Sequence, residues 1–446
     1  MNASWLRFLP GFLRERLAGR HQLQAILGNS GWLLADRAVR MAIGLCVGVW
    51  LARYLGPERF GKFNYAIAFV ALFSPVANLG LDGIVVRELV RHPERKQQIL
   101  GSAFALRLIA GLLAFILVLL SILVFHPRDE ASQALVAIIA VGMLFQSFDI
   151  ADLWFQSRMQ SRYSVLAKNG AFLVLTLAKI WLILSRAEVT AFAWVSTLEL
   201  ALGACGLCLA FGSTGNRWLD LRPAWPAALA VVRESWPLFL SALAAALYLR
   251  IDQVMLAEMV GEREVGLYSA AVRLSELWYL IPPVVVSSVM PYLTEARARS
   301  QELYYQGLQQ LLNLLVRVAY AVAIPVTLLA VPLVGLIYGD AYAAAGPVLA
   351  IHIWAVLFVF LGAAASPWII NERLTKLILY QTGAGAVANV ALNLYLIPRY
   401  GAMGAAGATL CSQCVSVCLA NLVFGDGRRY FRMQARAVLL RPSAGN

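Results

Sequence analysis

The chain has 446 residues and a mass of 48.7 kDa, of which 61% are hydrophobic and only 14% charged, with a mean hydropathy of +0.71. A soluble globule carries about 25% charge, so most of this surface needs lipid as its solvent and a soluble catalytic domain is excluded. The formal charge of +13 would elsewhere suggest nucleic acid, but the basic residues lie between apolar runs and at both ends, where anionic headgroups account for them.

The opening MNASWLRFLPGFLRERLAGR is too interrupted for a span. Trp5, Leu6, Leu9, Leu13 and Leu17 share one helical side while Arg7, Arg14 and Arg16 face water, so residues 1–29 read as an interfacial segment. Apolar runs of about 20 residues, the length that crosses hydrocarbon, then fall near 30–52, 63–83, 101–125, 132–152, 165–185, 189–211, 236–257, 267–290, 308–330, 344–366, 376–397 and 403–424. The expected architecture is all-α and polytopic, with about 12 spans. Six-helix bundles over 30–211 and 236–424 are joined by a linker at 212–235 and followed by a basic tail at 425–446. Lysine and arginine gather at the N-terminus, in the even-numbered loops and in the tail. The odd-numbered loops hold only Arg53, Arg59, Lys62, Arg128, Arg186, Arg263 and Arg399, which puts both termini in the cytoplasm.

Charges recur inside these spans, where each costs about 2.5–3.5 kcal/mol at mid-helix if it faces lipid. Asp36 and Arg40 in span one are four apart and can pair, leaving Arg37 to the cleft or the headgroups. Arg107 and Arg317 lie near span ends. Glu199 has no cation within a helical turn in sequence, so it is either matched across helices or a proton carrier. Arg250 lies about fourteen residues into span seven, about 21 Å along the axis, and either snorkels outward or lines a wet interior. Asp252 faces another side of that helix, and Arg273 and Glu276 in span eight are spaced to neutralise each other. Arg37, Arg40, Arg250 and Arg273 are the candidate substrate-binding residues, because guanidinium keeps its charge when partly dehydrated and grips phosphate with a planar fork. Glu199, Asp252 and Glu276 are the candidate ion-coupling residues.

The stretch LARYLGPERFGKFNYA at 51–66 resembles LAEMVGEREVGLYSAA at 256–271 at an offset of 205, pairing Gly56 with Gly261 and Gly61 with Gly266. Six spans separate the copies, so the repeats run parallel and leave a cleft between two bundles. The cysteines Cys46, Cys205, Cys208, Cys411, Cys414 and Cys418 sit in apolar stretches as small packing residues. His21, His92, His126 and His352 form no ligand cluster, and P-loop, GxSxG and HExxH motifs are missing, so no metal, cofactor or catalytic residue is expected.

RYLGPERFGKFNYA (53–66), NLGLDGIVVRELVR (78–91), RIDQVMLAEMVGEREVGLYSAAVRLSE (250–276), YGDAYAAAGPVLAI (338–351) and LNLYLIPRYGAMGAAGATL (392–410) together resemble the O-antigen, or Wzx-type, oligosaccharide flippases of polysaccharide biosynthesis. These belong to a superfamily with the multidrug and toxin extruders and the lipid II flippases. The resemblance implies a MATE-like transporter of the bacterial inner membrane that turns undecaprenyl-pyrophosphate-linked oligosaccharide to the periplasmic leaflet. Coupling to proton or sodium, contact with anionic membrane lipids and association with glycan polymerase or glycosyltransferase machinery follow as expectations. A cation-coupled multidrug exporter is the nearest alternative. A polysaccharide polymerase or ligase would need large outward loops, and every outward loop here is short.

Overall fold

The computed structural model describes residues 21–372, 374–423 and 427–440. The expected interfacial helix within 1–20 lies outside them. The described elements are α-helices α1 (His21–Asn78), α2 (Asp82–Arg91), α3 (Lys96–Phe125), α4 (Glu130–Phe145), α5 (Ile150–Ser157), α6 (Arg162–Leu184) and α7 (Val189–Ser213) in the N-terminal half. The C-terminal half holds α8 (Trp225–Met259), α9 (Glu262–Glu276), α10 (Ile281–Arg299), α11 (Gln301–Tyr338), α12 (Ala345–His352), α13 (Ala355–Asn371) and α14 (Thr375–Val417), with α15 (Gly427–Val438) closing the chain.

Ten helical segments among the described residues are long and apolar enough to span a membrane. Two of them double back. Gly56 breaks α1 at φ 72°, and the guanidinium of Arg273 meets both Gly48 before the break and the Phe60 ring after it. Twelve residues of straight helix would hold those sites about 18 Å apart. Gly401 breaks α14 likewise, bringing Asn389 within 3.4 Å of Ser412. Counted as hairpins, these two give the twelve crossings that hydropathy suggests.

The helices are apolar outside and small inside. On α3, Leu108, Leu112, Ile116, Leu120 and Leu123 are exposed while Ala103, Ala110, Ala114 and Val118 are buried. That is the arrangement expected when lipid accepts leucine and small side chains let backbones approach.

The repeat appears as symmetric packing. An ideal Cβ on Gly61 would stand 1.7 Å from the Glu262 carbonyl oxygen, and one on Gly266 would stand 1.9 Å from the Pro57 carbonyl oxygen. Residues 57 and 61 each shift by 205 onto 262 and 266, so the halves exchange equivalent contacts across a pseudo-two-fold axis. Only glycine allows this approach.

The loops holding Gly56, Asp129, Ala187, Gly261, Gly339 and Gly401 share one end, the hairpin end, where the halves are bonded together. Tyr65 donates to Glu258 at 2.7 Å, Tyr342 donates to the Ala52 carbonyl at 2.8 Å, and Arg53 donates to the Leu336 carbonyl. Lys62 lies 2.9 Å from Asp129 and 3.5 Å from Glu262. Burial alone would raise the Asp129 carboxyl, but bonds from Ser132 and Lys62 outweigh it and bring it down to about 2.

The opposite, linker end departs from the expected boundaries. Residues 225–235, read as linker, already belong to α8, whose start packs on the N-terminal half. Arg222 N–H donates to the Gln97 carbonyl, Ser102 pairs with Ala224, and Arg87 bonds Glu234. The reason is apolar: Trp218 is wedged among Phe104, Phe148 and Phe211. The expected basic tail is likewise helical over Gly427–Val438.

Candidate functional site

Between the halves, α8 and α9 face the span-one arm of α1. Arg250 on α8 is half-buried and makes no hydrogen bond or close ion pair among the described residues. On α9, the carboxylate of Glu276 feels the charges of Arg250 and Arg273, and no close ion pair forms between Arg273 and Glu276 among the described residues. Arg273 reaches across the interface, its guanidinium 5.5 Å from the Phe60 ring centre and against Gly48. The structure thus brings Arg250, Arg273 and Glu276 together with two cations for one anion. Two cations near one anion leave net positive charge, which attracts anions more strongly away from bulk water than in it.

Arg40 is elsewhere, inside the N-terminal bundle. It donates to Asn169 Oδ1 at 3.0 Å, lies over Phe172 at 4.6 Å and sits 3.7 Å from Glu199. Glu199 also accepts from Lys179 at 3.0 Å, so its cations come from neighbouring helices and it is doubly neutralised. Lys168 is bound in turn by Asp149 and Asp152, at 2.9 and 2.8 Å. A cavity of about 150 Å³ is lined by Arg40, Gln146, Asp149, Lys168 and Glu199. Arg107, near its span end, is buried against Asp82. The side chain of Arg37 lies outside the described residues.

Asp252 is separate again, 3% exposed inside the C-terminal bundle. Asn393 donates to its Oδ1 at 2.6 Å, and the hydroxyls of Thr409 and Tyr268 reach its Oδ2 at 2.6 and 2.8 Å. Asn389 Oδ1 accepts from Asn393 at 3.0 Å, and the Ala405 carbonyl lies 3.0 Å from Thr409 Oγ1. Asn393 Oδ1 is buried with no partner among the described residues. One amide N–H and two hydroxyls thus surround a single buried carboxylate that has no cationic partner among the described residues.

Sequence reasoning named Asp252 but missed Asn389, Asn393, Thr409 and Tyr268, and it overlooked Lys168 and Lys179. The two asparagines carried a usable signal, since they are four apart on an otherwise apolar span and therefore share a helical face. Lys179 is likewise a lone cation in an apolar run.

The profile of a family described as polysaccharide biosynthesis protein matches residues 26–297. A Shigella flexneri protein named as a candidate O-antigen transporter is 36% identical over 101 residues, which span 22% of this chain and 24% of that protein. Among solved structures, an inward-facing multidrug resistance MATE family transporter of the MOP superfamily is similar, with a TM-score of 0.71 at 16% identity over 91% of this chain and 96% of that one. The lipid II flippase MurJ in an inward closed conformation is also similar, with a TM-score of 0.72 at 15% identity over 93% of this chain and 94% of the other.

Proposed function

The chain belongs to the polysaccharide biosynthesis protein family; from that premise we propose that it is a multi-pass inner-membrane transporter that carries undecaprenyl-pyrophosphate-linked oligosaccharide from the cytoplasmic to the periplasmic leaflet by alternating access. The observation that carries this reading is the pair Arg250 and Arg273 on one wall between the halves, with Arg250 bound by no described carboxylate. A pyrophosphate head offers the complementary charge and accepts forked hydrogen bonds from guanidinium.

The route needs no covalent chemistry. The polyprenyl tail stays in lipid while the charged head crosses in a wet slot, avoiding a desolvation penalty of several kcal/mol per ion. We read the basic linker end as cytoplasmic, by the excess of arginine there. The bonded hairpin end is then the periplasmic seal, and the head enters from the cytoplasm. Outward movement of about two negative charges across the full field releases about 4.6 kcal/mol per 100 mV, a driving force to which cation antiport would add.

A second reading is a cation-coupled multidrug exporter, since a multidrug resistance MATE family transporter shares this fold over 91% of the chain. The buried carboxylate of Asp252, with no cationic partner among the described residues, fits that reading, and it equally fits cation coupling of a flippase. Cells lacking the chain separate the two: accumulation of lipid-linked oligosaccharide on the cytoplasmic leaflet supports the flippase. Unchanged glycan export with new sensitivity to lipophilic cations supports the exporter.

A further inference from the structure

A second basic cavity, about 610 Å³ in volume, lies at the linker end of the C-terminal half and is remote in sequence from the cleft arginines. Arg429, Arg432 and Arg436 of α15 form one wall, and Gln301, Glu302 and Tyr305 in the first turns of α11 form the other. The three arginines are spaced i, i+3, i+7 and so share one face of their helix.

Contacts along α15 fix that display in place. Tyr430 is fully buried and stacks on Trp368 with ring centres 4.4 Å apart. Gln309 donates to the Met433 carbonyl, and Tyr320 donates to the Val438 carbonyl at 2.9 Å. Arg429 lies 3.6 Å over the Tyr305 ring. None of the three arginines has an ion pair with a described carboxylate. Glu302, the acid in the lining, accepts instead from Gln306 at 3.4 Å, so three cations face one anion. The start of α11 adds the positive end of a helix dipole.

We propose that this cavity binds the phosphate headgroup of an anionic phospholipid, independently of which amphiphile the cleft carries. Three convergent guanidinium groups match a phosphodiester. The volume lies within the range of small-molecule sites, about 300–1,000 Å³. Large apolar side chains on the same elements, Leu303 and Leu314 on α11 with Leu439 and Leu440 beyond α15, are exposed, which suits a setting among acyl chains. A soluble anion would have no use for those exposed apolar side chains.

Native mass spectrometry of the full chain in detergent, titrated with phosphatidylglycerol or phosphatidylcholine, tests the assignment. The wild type should retain phosphatidylglycerol in preference to phosphatidylcholine. The triple variant R429A/R432A/R436A should bind phosphatidylglycerol about 100-fold more weakly. R429K/R432K/R436K should recover most of the binding, separating lost charge from lost folding. Equal retention by the alanine variant, or equal binding of phosphatidylcholine by the wild type, overturns the proposal. Displacement of phosphatidylglycerol by millimolar inorganic phosphate would reassign the cavity to a soluble anion and overturn it as well.

Discussion

A single methyl group at Gly61 should force the hairpin end apart. The added Cβ would sit 1.7 Å from the Glu262 carbonyl oxygen, whereas a carbon–oxygen contact needs about 3.3 Å or more. The arms must therefore separate by about 1.5 Å, and the obstructing atom is backbone, which no rotamer change can move aside. Overpacking of this kind costs about 1–3 kcal/mol, charged only to the conformation in which the two hairpins touch. The ratio of closed to open molecules should fall about 5- to 150-fold. Spin labels at Arg59 and Arg263, both exposed at that end, report the separation by double electron–electron resonance in a cysteine-free background. Gly61→Ala should shift the distance distribution to longer values. Gly266→Ala should do the same, because its Cβ would lie 1.9 Å from the Pro57 carbonyl oxygen. Gly44→Ala, with nothing within 4 Å of its Cβ, should leave the distribution unchanged. An unaltered distribution in both Gly61→Ala and Gly266→Ala would refute the idea that the glycines set this closure.

Gly48→Ala should displace the Arg273 guanidinium, whose Nη1 occupies the space of the new methyl; transport should drop while the melting temperature stays within a few degrees. Asp252→Asn should abolish any stabilisation of the purified chain by sodium, read by thermal melts with and without the ion, while leaving the potential-driven component of transport in vesicles. Asp129→Asn should destabilise the wild-type clasp with Lys62 by an amount independent of pH from 8 to 5. A carboxyl held below its usual value contributes above 3.8 and loses that contribution as pH falls through about 2. The melting difference between wild type and Asp129→Asn should therefore close only in strong acid, and a difference that vanishes by pH 5 would contradict the assignment.

Much of the fold was legible because lipid imposes a simple rule on length and polarity. The twelve crossings and the parallel repeat both follow from apolar runs and from glycines spaced alike in 51–66 and 256–271. The pairing of charges was less legible, since it is set across helices. Glu199 has no cation nearby in sequence and two in space, Lys179 and Arg40. Spacing along span eight suggested that Arg273 and Glu276 would neutralise each other, yet Arg273 crosses to Gly48 and Phe60 instead. The linker boundary slipped for a packing reason: Trp218 and Val231 are part of the N-terminal apolar cluster, so the start of α8 is held by that half.

The most direct test of an anion-carrying cleft is leaflet-resolved assay of lipid-linked oligosaccharide in cells lacking the chain and complemented with Arg250 variants. Wild type should clear the cytoplasmic-facing pool, Arg250→Lys should clear it partly, and Arg250→Ala should insert normally yet leave it uncleared. Full clearance by Arg250→Ala, or no such pool in the deletion strain, would contradict the account.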